Sequence, residues 1–168
     1  MIKIFHEWGL YMFFAEIDED ETCRQTRHFF NKTLDYYLNL SSKRRFNLSS
    51  PIITGMPKTK SNVNNQDRAM MRIFYAEKIV DCVSDAVNSC NNDSSKPYKA
   101  ILVGCYFDHL SLVQIGKQIG YTSRQQSKLS NLKNEALLEF AERFEGIQQA
   151  KQIEPPIKLI AYVDTGIY

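Results

Sequence analysis

Apolar residues recur at three- and four-residue steps in several stretches of this chain, separated by clusters of Ser, Asn and Pro. That period is the signature of amphipathic helices joined by loops. A first helix is predicted to begin in Asp18-Glu-Asp-Glu, where acidic side chains suit the positive end of the helix dipole. Thr26, Phe29, Phe30, Thr33, Leu34, Tyr37 and Leu38 then form one stripe, which ends near Leu40 before Ser41 and Ser42. A second helix is predicted to start at Asn64 or Asn65, both good N-caps, and to run to about Asn88. Met70, Ile73, Phe74, Glu77, Val80, Val83 and Val87 share one face of it. That register resembles a coiled coil, but it lasts too few heptads, and a core helix is preferred to a dimer seam.

The loop Asn91-Asn-Asp-Ser-Ser-Lys-Pro divides this N-terminal part from a C-terminal module of three helices. Ala100 to Val103 and Cys105 to Phe107 make the first, strongly apolar helix, with Pro97 at its opening turn. Ser111 is the natural N-cap of the second, in which Leu112, Ile115 and Ile119 face inward. Gly120 ends it, where a left-handed residue is needed, and Tyr121 packs into the turn. Thr122 or Ser123 caps the third, which continues through Leu129, Leu132, Ala136, Leu137 and Phe140 to about Phe144. The predicted class is therefore all-α. Residues 1–95 form an N-terminal helical region with a linker at 41–65, residues 96–145 a tri-helical helix-turn-helix, and residues 146–168 a tail. The tail is β-prone after Pro155-Pro156, and its expected place is beside Ile2 to Phe5 or on a partner.

Charge sharpens this picture. The chain carries a net charge of only +2, but the linker at 41–65 holds Lys43, Arg44, Arg45, Lys58 and Lys60 and no acid. From Lys117 to Lys133 every charge is positive, whereas Glu135, Glu139 and Glu142 make the later turns acidic. A short helix, a turn with Gly and a second helix are what a helix-turn-helix requires, and the exposed start of the second helix enters the major groove. Here that start is Thr122, Ser123, Arg124, Gln125, Gln126, Ser127 and Lys128, with Lys117, Asn131 and Lys133 nearby. Arg suits guanine, Gln suits adenine, and Ser, Thr and Lys suit phosphates. Double-stranded DNA is the expected partner; RNA polymerase and a second copy of the chain are further candidates. The competing reading is a helical adaptor that binds polymerase without holding DNA by itself. The basic linker reads either as a second DNA contact or as a soluble tether.

Enzyme chemistry has little support. Asp108, His109 and Ser111 are neighbours in sequence, but a catalytic triad is assembled across a fold, and a helix end followed by a cap explains them. Cys105 and His109 lack a second ligand pair for zinc, and no phosphate-binding glycine pattern is present. No metal, cofactor or catalytic residue is expected. Four scattered cysteines read as reduced core thiols, and no stretch has the length of a membrane span, so the expected location is the cytoplasm.

Ser111-Leu-Val-Gln-Ile-Gly-Lys-Gln-Ile-Gly-Tyr-Thr resembles the region-4 helix-turn-helix of sigma factors. Leu110, Ser111, Ile115, Gly116, Ile119, Gly120 and Thr122 occupy the places of that pattern. The apolar spacing after it (Leu129, Leu132) is shifted by about one residue, which leaves two registers open for the base-facing side chains. A longer resemblance is to the ArpU family of phage-encoded transcriptional regulators. It rests on Asp20-Glu-Thr-Cys-Arg-Gln-Thr-Arg-His-Phe-Phe, on Met56-Pro-Lys-Thr-Lys-Ser-Asn-Val-Asn-Asn-Gln-Asp, and on Gly120-Tyr-Thr-Ser-Arg-Gln-Gln with Lys133-Asn-Glu-Ala-Leu-Leu-Glu-Phe-Ala. It spans about residues 12–145 and implies regulation of phage or prophage late genes in a bacterial host.

Overall fold

A computed structural model of the chain describes residues 16–43 and 64–163. Six α-helices are present among them: α1 (Glu19–His28), α2 (Leu34–Leu40), α3 (Asn64–Ser89), α4 (Tyr98–Tyr106), α5 (Leu112–Gln118) and α6 (Gln126–Ala150). A π-helical turn, Phe29–Thr33, joins α1 to α2, and a 3₁₀ turn, Ser123–Gln125, leads into α6. The described residues hold no strand, so the all-α expectation stands; one isolated antiparallel bridge links Ile17 to Tyr162. None of the described helices is long and apolar enough to cross a membrane.

The first helix starts where its sequence calls for it. Asp18 accepts a hydrogen bond from the Glu21 backbone N–H at 3.0 Å, and Glu19, Asp20 and Glu21 fill the first turn. Arg24 and Gln25 both donate to Glu21, which holds its carboxyl down at a pKa of about 2. The π turn was not foreseen. It admits one extra residue per turn, so the consecutive Phe29 and Phe30 both bury while Leu34 and Leu38 stay inward beyond them.

Those two phenylalanines reach the centre of the molecule. Phe30 lies 4.5 Å from Phe140 on α6 and 4.6 Å from Tyr106 on α4, measured between ring centres. Phe29 meets Phe144 at 5.3 Å, and Phe140 stacks on Phe144 at 5.4 Å. One core cluster thus takes residues from both sides of the loop at 91–97. α6 is its axis, since α1, α3, α4 and α5 all pack against it. It extends to Ala150, beyond the predicted end near Phe144, because Phe144 and Gln148 still have partners to face.

α3 follows its predicted bounds but not its predicted face. Ala76, Ile79, Val80, Val83, Ala86 and Val87 are fully buried, whereas Ile73 and Phe74 remain exposed and Met70 is half-buried. The apolar stripe read from the sequence therefore splits. Its second half enters the core; its first half meets no described partner able to bury it.

The tail after α6 is held by side chains that imitate backbone. Gln148, 1% exposed, donates to the Ile157 carbonyl at 2.9 Å and accepts the Ile157 N–H at 2.7 Å. Thr22 accepts the Ala161 N–H at 3.0 Å. Asp18 donates to Ala161 and Val163 donates to Glu16, so the strand-like pairing is with residues 16–18. The expected pairing with Ile2 to Phe5 falls on residues outside those described.

Candidate nucleic-acid interface

The segment from α4 to α6 is built on close backbone approaches and local caps. Gly104 lets α4 and α5 nearly touch: a Cβ there would lie 2.7 Å from Ile115 Cγ1. Gly116 does the same between α5 and α6, where a Cβ would meet Leu129 Cδ2 at 3.1 Å. Ser111 caps α5 as predicted, and Gln114 closes the reciprocal bond by accepting the Ser111 N–H at 2.9 Å. At the other end Gly120 adopts φ +83°, and the Tyr121 N–H reaches back to the Gly116 carbonyl at 2.7 Å. This bond spans the six residues of a Schellman stop.

A second reciprocal cap follows at once. Thr122 precedes the 3₁₀ turn, and its backbone N–H and hydroxyl both donate to Gln125 Oε1, at 3.0 and 3.2 Å. The helix proper therefore starts at Gln126, a few residues after the predicted cap, with a tighter turn in front of it. Gln125 is exposed, but its carbonyl oxygen is already committed to Thr122. A bidentate adenine contact needs both ends of the amide. Its amide nitrogen is the part left to offer.

Arg124, Ser127, Lys128 and Asn131 are all exposed, and their spacing of three, four and seven puts them on one side of the turn and helix. Leu129, Leu132 and Ala136 occupy the opposite, buried side. Lys128 Nζ sits 5.7 Å from the ring centre of Tyr121, which is half-buried in the turn. Lys117 and Gln126 are exposed across a cleft of about 280 Å³ that Leu112, Val113 and Tyr121 also line. The backbone of Ser123 opens the 3₁₀ turn. Of the ten expected contact residues, Arg124, Ser127, Lys128 and Asn131 thus share one side, and Lys117 and Gln126 line the cleft beside it.

Lys133 departs from that set. It is half-buried, with Nζ 5.1 Å from the Tyr106 ring centre and beside the Cys105 thiol. The aromatic face of α4 draws its charge inward. Burial raises the Cys105 pKa, and the Lys133 charge partly offsets that rise. Lys43, from the basic linker, is also engaged: it pairs with Asp81 of α3 at 2.6 Å. Arg44, Arg45, Lys58 and Lys60 lie outside the described residues. The acidic half of α6 is kept apart from the edge. Glu135 accepts from Tyr98, while Glu139 holds Arg143 and the Asn91 amide on the side of the 91–97 loop.

Sequence reasoning foresaw the caps at Ser111 and Thr122 but missed their glutamine partners, Gln114 and Gln125. Both caps obey the Ser/Thr-x-x-Gln spacing, at Ser111 to Gln114 and at Thr122 to Gln125. That spacing alone marks Gln125 as a structural residue as well as an exposed one.

Comparison with known proteins gives one informative likeness. Over 105 residues, 62% of this chain, it is 28% identical to a protein of Enterococcus hirae that bears the name of an autolysin regulatory protein, ArpU. The match covers 73% of that relative. No family profile matches the chain, and neither does any solved structure. The chain is a distant homologue of a protein named as a regulator, in keeping with its ArpU-like sequence segments.

Proposed function

We propose that this protein is a sequence-specific DNA-binding transcriptional regulator and not an enzyme. In this reading α5, the turn at Gly120 and the start of α6 are the helix-turn-helix, set in a module spanning residues 96–145. The observation that carries the reading is the edge itself. Arg124, Ser127, Lys128 and Asn131 face outward together, with Lys117 across the cleft and no carboxylate among them. A polyanion favours such an edge, and the hydrogen-bonding side chains between the cations suit base edges in the major groove. The name of the Enterococcus hirae relative supports a regulatory role. Its ArpU character extends the proposal to control of phage or prophage late genes in the bacterial cytoplasm, with RNA polymerase as a second partner.

The test is selection of bound fragments from a random duplex pool at two salt concentrations, followed by affinity measurement on the recovered motif. Arg124→Ala is expected to weaken the selected site by about 1–3 kcal/mol more than it weakens an unrelated duplex, the worth of a bidentate base contact. Recovery of no motif, with all duplexes bound equally weakly, overturns the proposal in favour of an adaptor that holds protein alone.

A further inference from the structure

α3 carries a second face that the core does not use. Asp67, Met71, Phe74 and Lys78 are all exposed, and their spacing of four, three and four puts them on one stripe of the helix. Met71 is 70% and Phe74 43% exposed, and Ile73 and Tyr36 beside them are also open to solvent. Arg72 donates to the Tyr36 hydroxyl at 2.8 Å, which ties α2 to α3 beside Met71. Asp67 and Lys78 take part in none of the described hydrogen bonds or ion pairs.

The spacing of the stripe is the same in both directions, and its two charges are opposite. Reversing it about a point midway between Arg72 and Ile73 exchanges Met71 with Phe74 and Asp67 with Lys78. We propose that this stripe joins two copies of the chain, α3 against α3, antiparallel about a twofold axis at that point. Each apolar side chain then meets the other apolar type, and each end of the seam brings a carboxylate opposite an ammonium. A parallel arrangement would instead oppose Asp67 to Asp67 and Lys78 to Lys78, with like charges at both ends. An isologous twofold contact requires a surface that complements itself, and a foreign partner imposes no such symmetry on the sequence. The symmetric spacing with opposite charges at its two ends is therefore what assigns the occupant. This pairing does not depend on DNA binding, because α3 carries none of the residues of the basic edge.

Sedimentation velocity on the full chain, over a concentration series, tests it. The parent is expected to shift from monomer to dimer as concentration rises, and Phe74→Glu is expected to remain monomeric with unchanged helicity and melting temperature. Asp67→Lys and Lys78→Asp should each weaken self-association roughly tenfold, since two facing pairs turn repulsive in each homodimer. Mixed in equal amounts, these two variants should recover the parent affinity, because each then supplies the charge that the other needs. A parent that is monomeric at every concentration overturns the proposal. So does a mixture that associates no better than its components, which would assign the face to another partner or another orientation. Phe74→Glu that lowers the melting temperature while leaving the association state intact would also overturn it, since the chain itself would then be covering the face.

Discussion

Two lysines five residues apart on α6 should behave oppositely when removed. Lys128 is exposed on the basic edge, while Lys133 is turned onto the Tyr106 ring at 5.1 Å. Three outward cations, Lys117, Arg124 and Lys128, belong to the edge. If each neutralises one phosphate, together they contribute about −2.7 to the slope of log affinity against log salt, or about −0.9 each. Over about a fourfold rise in salt, the edge then loses about 40-fold in affinity in the parent and about 12-fold in Lys128→Ala. Lys133→Ala should leave the slope untouched. It should instead cost about 0.5–2 kcal/mol of stability, the worth of a partly desolvated cation–π contact. Fluorescence anisotropy of a labelled duplex across a salt series measures the first quantity, and urea unfolding the second. Equal reductions of slope in both variants would show that Lys133 swings out to phosphate. An unchanged slope in Lys128→Ala would remove this edge from the DNA contact altogether.

Further substitutions test how the edge is supported. Gly104→Ala should destabilise the protein by about 1–3 kcal/mol in urea unfolding, as overpacking does, because the new methyl would lie 2.7 Å from Ile115 Cγ1. In an Ile115→Ala background the same change should cost much less. A Cβ at Gly120 would have nothing within 4 Å, so Gly120→Ala should cost about 1–2 kcal/mol through the backbone at φ +83°; Gly120→Asn should be milder in the same assay. Gln148→Ala should cost about 1–3 kcal/mol in all, because it leaves the part-buried carbonyl and N–H of Ile157 without their partner. Hydrogen exchange at the Ile157 amide should accelerate in that variant before exchange elsewhere in the core does.

Features that depend on a few consecutive residues were legible in the sequence. The start at Asp18, the cap at Ser111 and the left-handed stop at Gly120 each follow from local chemistry: a side-chain acceptor, or the absence of a Cβ. Features that depend on what lies opposite were not. Lys133 reads as another outward cation until α4 presents Tyr106 to it, and no periodicity reports that neighbour. Likewise the predicted stripe groups Phe74 with Val80 and Val83, but Phe74 precedes Val83 by nine residues, about two and a half turns, and lies on the opposite side of α3. The pairing of residues 161–163 with residues 16–18 joins the two ends of the described chain, and β-propensity in the tail could not name its other side. Gln125 is the intermediate case, since its Ser/Thr-x-x-Gln spacing was readable and its exposure drew attention away from it.

The position of α6 explains why the basic edge needs no separate scaffold. Its first turns present Ser127, Lys128 and Asn131, and without a break the same helix carries Leu137, Phe140 and Phe144 through the centre of the molecule. At about 1.5 Å per residue its 25 residues make a rod of about 37 Å. The orientation of the edge is therefore set by core packing and not by a hinge. α3 also packs against that rod, with its buried face on α6 and its symmetrically spaced stripe turned outward. If two copies join through that stripe, the separation of their two basic edges is fixed by helix packing alone. A twofold seam joined rigidly to two reading edges demands two half-sites at one spacing. That demand comes from the core residues of α3 and α6, which touch neither the DNA nor the partner.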